Sequence, residues 1–173
     1  SRLRFFSKSS SLKKIDLEYS RSLPEDYDFL WNRTASDYKC TIDRDRNYID
    51  WKYLRHPIFA YHLILARINS ELSGIIIFRT SEKDNEKVGV ITEIIAPDVN
   101  IIILRALIQT ATQFMIKKKV NLIRCVTSHE IIITSLKEYG YFPVNNPPIF
   151  ILRHPYGTIY DSDYYHDQWF LTG

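Results

Sequence analysis

The stretch from Val88 to Phe142 decides the fold, and it contains four consecutive pieces: VGVITEIIAP, DVNIIILRALIQTATQFMIKKK, VNLIRCVTS and HEIIITSLKEYGYF. The first and third pieces are short apolar runs rich in β-branched residues, which is typical of strands buried on both faces. The second repeats apolar residues at helical spacing, and the fourth predicts a second helix that ends at Gly140. Two strands joined by a helix of this length are predicted to be parallel, through a right-handed crossover.

The region before this unit is predicted to hold antiparallel strands. Tyr61–Arg67 (YHLILAR) alternates as a strand, and Gly74–Thr80 (GIIIFRT) is expected to pair with it across a turn at Asn69–Glu71. Alternation over Ile15–Tyr19 predicts a first strand, and Ser81–Lys87 is expected to be a charged hairpin connection into the central unit. The prediction is therefore an α+β fold, with a mixed sheet of about six or seven strands around a central β-α-β crossover.

Two helices are predicted between the first strand and the hairpin. One begins near Pro24, because Pro and acidic residues suit the first turn of a helix. The other lies within Asp43–Pro57, where Tyr48, Trp51, Leu54 and Arg55 share one helix face and Pro57 ends the element.

The remaining local predictions concern a helix cap and the C-terminal part of the chain. Asp98 is expected to cap the crossover helix. After Phe142 the sequence predicts a rigid loop, then a strand at Ile149–Arg153, a long loop at Pro155–Asp167 and a final edge strand at Gln168–Thr172.

Composition restricts the class of protein. The 173 residues fit one domain, although Ser1 is not a start Met and the chain is expected to be part of a longer, tandem-domain protein; a homo-oligomer stays open. A net charge of +3 without a basic stripe argues against a nucleic-acid partner, and no apolar run is long enough for a membrane span. Two isolated cysteines and scattered histidines predict a reducing, cytoplasmic setting and no metal site.

The order of elements resembles the GNAT (Gcn5-related N-acetyltransferase) fold over nearly the whole chain. The most specific pieces are VITEIIAP, which matches the fourth strand of that family, and HEIIITSLKEYGYF, which matches its helix ending in Gly-aromatic. NYIDWKYLRHP is also similar to a bacterial, often tandem subgroup that carries W-[KR]-Y-x-x-H-P before the hairpin. The resemblance implies transfer of an acyl group from acetyl-CoA or another acyl-CoA to the amine of a small molecule or amino sugar.

The resemblance implies roles for residues of the predicted fourth strand. Glu93 matches the carboxylate general base, which takes the proton that the acceptor amine must lose before it attacks the thioester. Ile94, Ile95 and Ala96 match the backbone ladder that hydrogen-bonds pantetheine. Alternation along the strand predicts that Glu93 and Ile95 share one face while Thr92 and Ile94 share the other.

Two family motifs differ in this chain. The phosphate loop [QR]-x-x-G-x-[GA] corresponds to Asn100, Ile103 and Arg105, so Asn100 is the polar residue left for the cofactor and no glycine is present. The family's Tyr general acid corresponds to Leu136, and its Asn at the start of the same helix corresponds to His129. His129 is either a polar acid-base group or simply the start of that helix.

The acceptor side is predicted to lie around the segment 48–56. Tyr48, Trp51, Tyr53 and His56 are expected to line an acceptor pocket, with packing of one helix face as the alternative. The missing glycines and Leu136 leave a second hypothesis open, in which the chain is a catalytically silent ligand-binding or scaffolding domain of a larger protein. A third is an aminoacyl-tRNA-dependent peptidyl transferase, for which the near-neutral composition gives no basic groove.

Overall fold

The computed structural model describes residues 2–4, 14–38, 40–83, 85–97, 100–144 and 169–170. These form eight strands, four α-helices and one π turn, which run in the order β1 (Arg2–Arg4), β2 (Ile15–Ser20), α1 (Tyr27–Ala35), β3 (Cys40–Thr41), α2 (Arg46–Ile49), the π turn (Asp50–Leu54), β4 (Tyr61–Ile68), β5 (Glu71–Lys83), β6 (Glu86–Ile95), α3 (Ile101–Lys117), β7 (Leu122–Cys125), α4 (Glu130–Glu138) and β8 (Trp169–Phe170).

The main sheet has six strands in the order β1-β2-β4-β5-β6-β7. Its pairs are antiparallel up to β6, and β6 and β7 are parallel, which confirms the predicted hairpin and the central crossover. The β4–β5 turn uses Asn69 and Ser70, both at positive φ, as a two-residue hairpin requires. The α+β prediction with a mixed sheet is therefore confirmed.

Each face of the sheet has its own core. Helices α3 and α4 cover one face, where Phe78, Ile94 and Leu107 are buried together. Helix α1 and the π turn cover the other face, where Trp31, Tyr53 and Ile77 are buried together. The second face, called here the α1 face, carries the predicted acceptor segment.

A β-bulge interrupts β6 at Thr92, three residues before the strand ends at Ile95. Ile77 of β5 is opposite Glu93, but the next residue, Phe78, is opposite Ile91, so Thr92 is the extra residue on β6. Beyond the bulge the side chains alternate between the two faces. Ile94 packs on the α3 side, whereas Ile95 packs on the α1 face, where Glu93 contacts Tyr53. The bulge thus shifts the phase of the strand and turns Glu93 toward the α1 face.

The remaining local predictions have different outcomes. The charged hairpin connection predicted at Ser81–Lys87 is confirmed, and its strands β5 and β6 stay paired out to Lys83 and Glu86. The predicted edge strand at Gln168–Thr172 contains β8, which pairs with β3 in a separate two-stranded sheet. The predictions for Asp98, Ile149–Arg153 and Pro155–Asp167 fall outside the described residues. Within the described part of the chain, no helix combines the length and apolarity that crossing a bilayer requires.

Replacing Gly74 by Ala is expected to lower the free energy of unfolding by about 1–3 kcal/mol through overpacking. A Cβ at Gly74 would come within 2.6 Å of Ile103 Cγ2 and 3.1 Å of Leu107 Cδ1, both on α3. Urea unfolding measures the loss. In an Ile103→Ala background the same substitution should cost less; an unchanged cost would contradict the steric explanation.

Candidate functional site

Strands β6 and β7 separate halfway along β6. Their parallel ladder runs from Val88–Leu122 to Ile91–Cys125 and stops there, directly before the bulge at Thr92. Beyond that point β6 continues to Ile95 along β5 alone within the described residues. Among the described residues, this parting leaves one edge of β6 without a neighbouring strand beyond Ile91, and the candidate site lies around that edge.

Glu93 lies at the parting of the strands but is held under the surface. Its side chain is fully buried, Arg44 Nε donates to its Oε1 at 3.0 Å, and the Tyr53 hydroxyl donates to its Oε2 at 3.0 Å. Tyr53 also reaches the carbonyl of Thr92 at 3.4 Å. In this conformation no acceptor amine can reach Glu93 unless Arg44 moves.

Arg44 is itself enclosed, although it lies in a charged loop. Its side chain is 2% exposed, and Nη1 donates to Thr41 Oγ1 at 2.5 Å and to the Ile42 carbonyl at 3.0 Å. The guanidinium lies 5.8 Å from the centre of the Trp31 ring, and the buried Tyr27 hydroxyl donates to the Arg44 carbonyl at 2.6 Å. These contacts compensate the burial of a charge, which would otherwise be costly.

The segment that carries Tyr53 is a short helix followed by a π turn. Asp45 caps α2 by accepting from the Tyr48 N–H at 2.7 Å, and the Arg55 N–H donates back five residues to the Asp50 carbonyl at 2.8 Å. A π turn contains an additional residue, so it rotates the side chains after it. Burial moves the pKa of Tyr53 upward, with the Glu93 charge as a second cause, and Tyr53 therefore stays a protonated donor.

Tyr48 and Trp51 share one side of this segment, as predicted, but the side chains that enter the core come from the opposite side. The buried side chains are Ile49 and Tyr53, while Trp51 is 72% exposed. Trp51 borders a shallow depression of about 220 Å³ together with Asp50 and Arg55. The structure therefore places Tyr53 and Trp51, which were expected to line one pocket, on opposite sides of the segment.

The two other predicted acceptor residues lie near this depression or beside Tyr61. The Tyr48 ring lies 6.2 Å from the Trp51 ring, and its hydroxyl accepts from Lys52 Nζ at 2.9 Å. His56 Nδ1 accepts from the N–H groups of Ile58 and Phe59, at 3.1 and 3.0 Å. His56 thus orders the loop before β4, and its ring lies 5.7 Å from the Tyr61 ring.

The predicted cofactor residues follow β6 out of the sheet. The side chains of Ile94, Ile95 and Ala96 are buried in the two cores, so only their backbone groups could meet a ligand. Asn100 is the N-cap residue of α3, and its carbonyl accepts from the Ile103 N–H at 2.9 Å.

The positions that correspond to the glycine loop serve packing and surface pairing. Ile103 is completely buried against the sheet, and Arg105 pairs with Glu138 of α4 on the surface. Ile101 and Ile102, at the start of α3, are half exposed. At the positions of the family's glycine loop, the described residues therefore carry side chains, which hinder close approach of an anion to the backbone.

His129 lies at the start of α4, as its position in the sequence predicts. Its backbone N–H donates to Thr127 Oγ1 at 3.2 Å, and its ring meets the Tyr38 ring edge-on at 5.3 Å. Leu136, at the position of the family's Tyr acid, is buried in the core under α3. The roles assigned to His129 and to Glu93 remain predictions, since the described contacts do not bring the two side chains together.

Cys125 lies at the last paired position of β7, next to the parting of the strands. Burial raises its pKa to about 12, and the Glu93 charge contributes in the same direction. The protonated thiol is a weak nucleophile, because the thiolate is the reactive form. Cys125 therefore packs against the core on the α3 side of the sheet. Among the residues described, no group of three candidate metal ligands occurs.

Sequence reasoning missed Arg44 and the bulge at Thr92. The run DRDR at 43–46 suggests a solvated loop, and nothing local distinguishes Arg44 from its charged neighbours. A usable signal was the unpaired carboxylate predicted on a buried strand, since such a group needs a basic partner.

Comparisons by sequence, with protein-family models and with curated proteins, find no match. Solved structures do match. A probable acetyltransferase superposes with a TM-score of 0.59 at 17% identity, over 80% of this chain and 97% of that chain. For a ribosomal-protein-alanine N-acetyltransferase from Brucella melitensis biovar Abortus 2308 the values are 0.54 and 14%, over 81% and 99%.

An aminoglycoside acetyltransferase, meta-AAC0020 from an uncultured soil metagenomic sample, also matches, with a TM-score of 0.50 at 14% identity, over 84% of this chain and 97% of that chain. These identities are low, but each match covers at least four fifths of this chain. The chain therefore has the fold of the GNAT acetyltransferases.

Proposed function

We propose that this chain transfers an acyl group from acyl-CoA to the amine of a small molecule. The parting of β6 and β7 after Ile91 and Cys125 carries the proposal, because the parallel ladder ends there and, among the described residues, β6 continues with β5 as its one partner. An acyl-CoA bound there would supply an activated thioester carbonyl. Attack by the amine nitrogen forms the C–N bond and breaks the C–S bond, and the departing thiolate takes a proton.

This chain's residues would have to align the amine and accept its proton. Glu93 is the proposed base, and the contact with Arg44 means that the base becomes available only when Arg44 leaves. An acceptor ammonium group carries the same charge as the guanidinium and could replace it beside the carboxylate. Tyr53 would then hold Glu93 in position through the second oxygen.

The second candidate function is a silent ligand-binding or scaffolding domain, and the Arg44–Glu93 ion pair favours it. A buried pair of this kind keeps the carboxylate charged but occupied. Leu136, buried in the core, offers no proton to a leaving thiolate. In this alternative the region around the parting of β6 and β7 binds a ligand or another chain without catalysing a reaction.

One experiment separates the two functions. We expect calorimetric titration with acetyl-CoA, propionyl-CoA and free CoA to show saturable binding, followed by acyl transfer when small amines are added. Binding without turnover of any amine would favour the silent domain. If none of the three CoA ligands binds at millimolar concentration, CoA binding beside β6 would be contradicted both for the acyltransferase and for the silent domain.

Activity of Glu93 cannot be judged from Glu93→Gln alone, because that substitution leaves Arg44 buried without its charged partner. The informative comparison is the double variant Arg44→Met/Glu93→Gln against the unmodified chain, because neither contains an isolated buried charge. If Glu93 is the base, the double variant should turn over about 10²–10⁴-fold more slowly than the unmodified chain at neutral pH. Equal rates would rule out the base role, and circular dichroism checks that both proteins are folded.

A further inference from the structure

A row of four paired residues, two of them arginines, crosses the α1 face below the parting of the strands. Tyr61 pairs with Arg79, Arg79 with Val90 and Val90 with Arg124, across β4, β5, β6 and β7. Directly paired residues of a sheet point to the same face. Arg79 therefore shares the face of Ile77, and Arg124 lies on that same face beyond Val90.

Lys52 joins this row from above the sheet. Its Nζ lies 5.1 Å from the centre of the Tyr53 ring and 5.2 Å from that of the Tyr48 ring. The Tyr53 ring in turn contacts the Tyr61 ring at 5.1 Å, and Arg79 lies over the Phe59 ring at 4.2 Å. Lys52 thus contacts the Tyr53 ring directly. Arg79 is connected to it through the rings of Phe59, His56 and Tyr61.

The three cations are not neutralised within the described part of the chain. The ion pairs of this region are Arg44 with Glu93 and Asp50 with Arg55, and none of the described ion pairs includes Lys52, Arg79 or Arg124. Aromatic rings orient Lys52 and Arg79 but do not cancel their charges. A preorganised patch of one sign attracts ligands of the opposite sign.

We infer that the acceptor carries an oxyanion, a carboxylate or a phosphate, in addition to its amine, and that Lys52, Arg79 and Arg124 bind it. This inference rests on the proposed function for the identity of the ligand as an acceptor. The anion lies over the Tyr61–Arg79–Arg124 row, and the amine then points toward Tyr53 and Glu93. A polycationic acceptor would meet three like charges on the same surface and is excluded.

Matched pairs of amines test the inference by calorimetry on the 173-residue chain without any CoA. Glucosamine against glucosamine 6-phosphate tests the phosphate, and glycinamide against glycine tests the carboxylate. At low ionic strength we expect the anionic member of at least one pair to bind about ten-fold or more tightly, and about 0.5 M salt to reduce the difference. Which pair responds identifies the source of the oxyanion.

Variants separate a specific site from general attraction. Lys52→Gln and Arg79→Gln should each weaken binding of the anionic member about ten-fold, as expected for loss of a charge-assisted hydrogen bond, and leave the neutral member unchanged. Lys117→Gln removes an exposed cation at the far end of α3 and serves as the matched control. The inference is overturned if neither anionic member is preferred, if nothing binds, or if Lys117→Gln has the same effect.

The outcome also distinguishes this inference from the proposed function. Preferential binding of an anionic amine, without any binding of acyl-CoA, would contradict the acyltransferase proposal and support the anion site. Acyl transfer at equal rates to neutral and anionic amines would support the acyltransferase proposal and contradict the anion site.

Discussion

Replacing Arg44 by Met should lower the free energy of unfolding by about 3–5 kcal/mol, the cost of leaving one member of a buried ion pair without the other. The side chains of Arg44 and Glu93 are 2% and 0% exposed, so water cannot take the place of the guanidinium without opening the site. Glu93→Gln should have a similar effect through the remaining buried cation. Urea unfolding, followed by circular dichroism, measures both losses.

A double-mutant cycle provides the control for this result. Arg44→Met/Glu93→Gln should cost less than the sum of the single variants by about 2–3 kcal/mol, because no isolated charge remains. The exposed pair Arg33–Glu71 has an even shorter contact, 2.6 Å, and Arg33→Met should cost only about 1 kcal/mol or less. Additive single effects at Arg44 and Glu93, or an equal loss at Arg33, would mean that burial is not the cause.

Raising the pH above 9 should progressively lower the free energy of unfolding of the domain. Burial raises the pKa of Cys125 from 9.0 to about 12 and also raises the pKa of Tyr27 and Tyr53 above their ordinary value of 10.0. A raised pKa means that the folded state keeps a proton that the unfolded chain loses, so stability is complete below pH 9 and falls as pH rises. Each such group contributes a slope of about 1.4 kcal/mol per pH unit.

The window and the slope can both be measured. Between pH 9 and 10 Cys125 contributes ahead of Tyr27 and Tyr53, and above pH 10 all three act together against a total stability of about 5–15 kcal/mol. Urea midpoints at half-unit pH steps give the curve. Cys125→Ala should flatten the curve between pH 9 and 10 while leaving the steeper fall above it; a wild-type stability that is flat to pH 11 would contradict the prediction.

Much of the fold could be predicted because its signals are local. The β-branched runs of β6 and β7, the periodicity of α3 and the Gly140 stop each lie within one element, and Gly140 does have a positive φ of 84°. Parallel pairing is then expected from the length of the connection. The hairpin is equally local, since two turn residues join its strands.

The candidate site could be predicted only in part, because its contacts are distant in sequence or depend on one extra residue. Arg44 and Glu93 are 49 residues apart, and no pattern within either segment indicates the pair. The π turn and the bulge at Thr92 each insert a residue, which rotates the side chains after it, and neither has a Gly or Pro as a marker. The row Arg79–Val90–Arg124 needs the register of three strands, which the sequence does not specify.

The buried ion pair also limits how this sequence can drift. A point mutation at either codon passes through a chain with one uncompensated charge in its interior, and that intermediate loses a large share of a typical domain's stability. The two positions are therefore expected to change together or not at all. A pair of apolar residues is the expected replacement, because a buried apolar side chain needs no charged partner. In a set of related sequences we therefore expect Arg44 and Glu93 to covary: a sequence that lacks one of them should also lack the other.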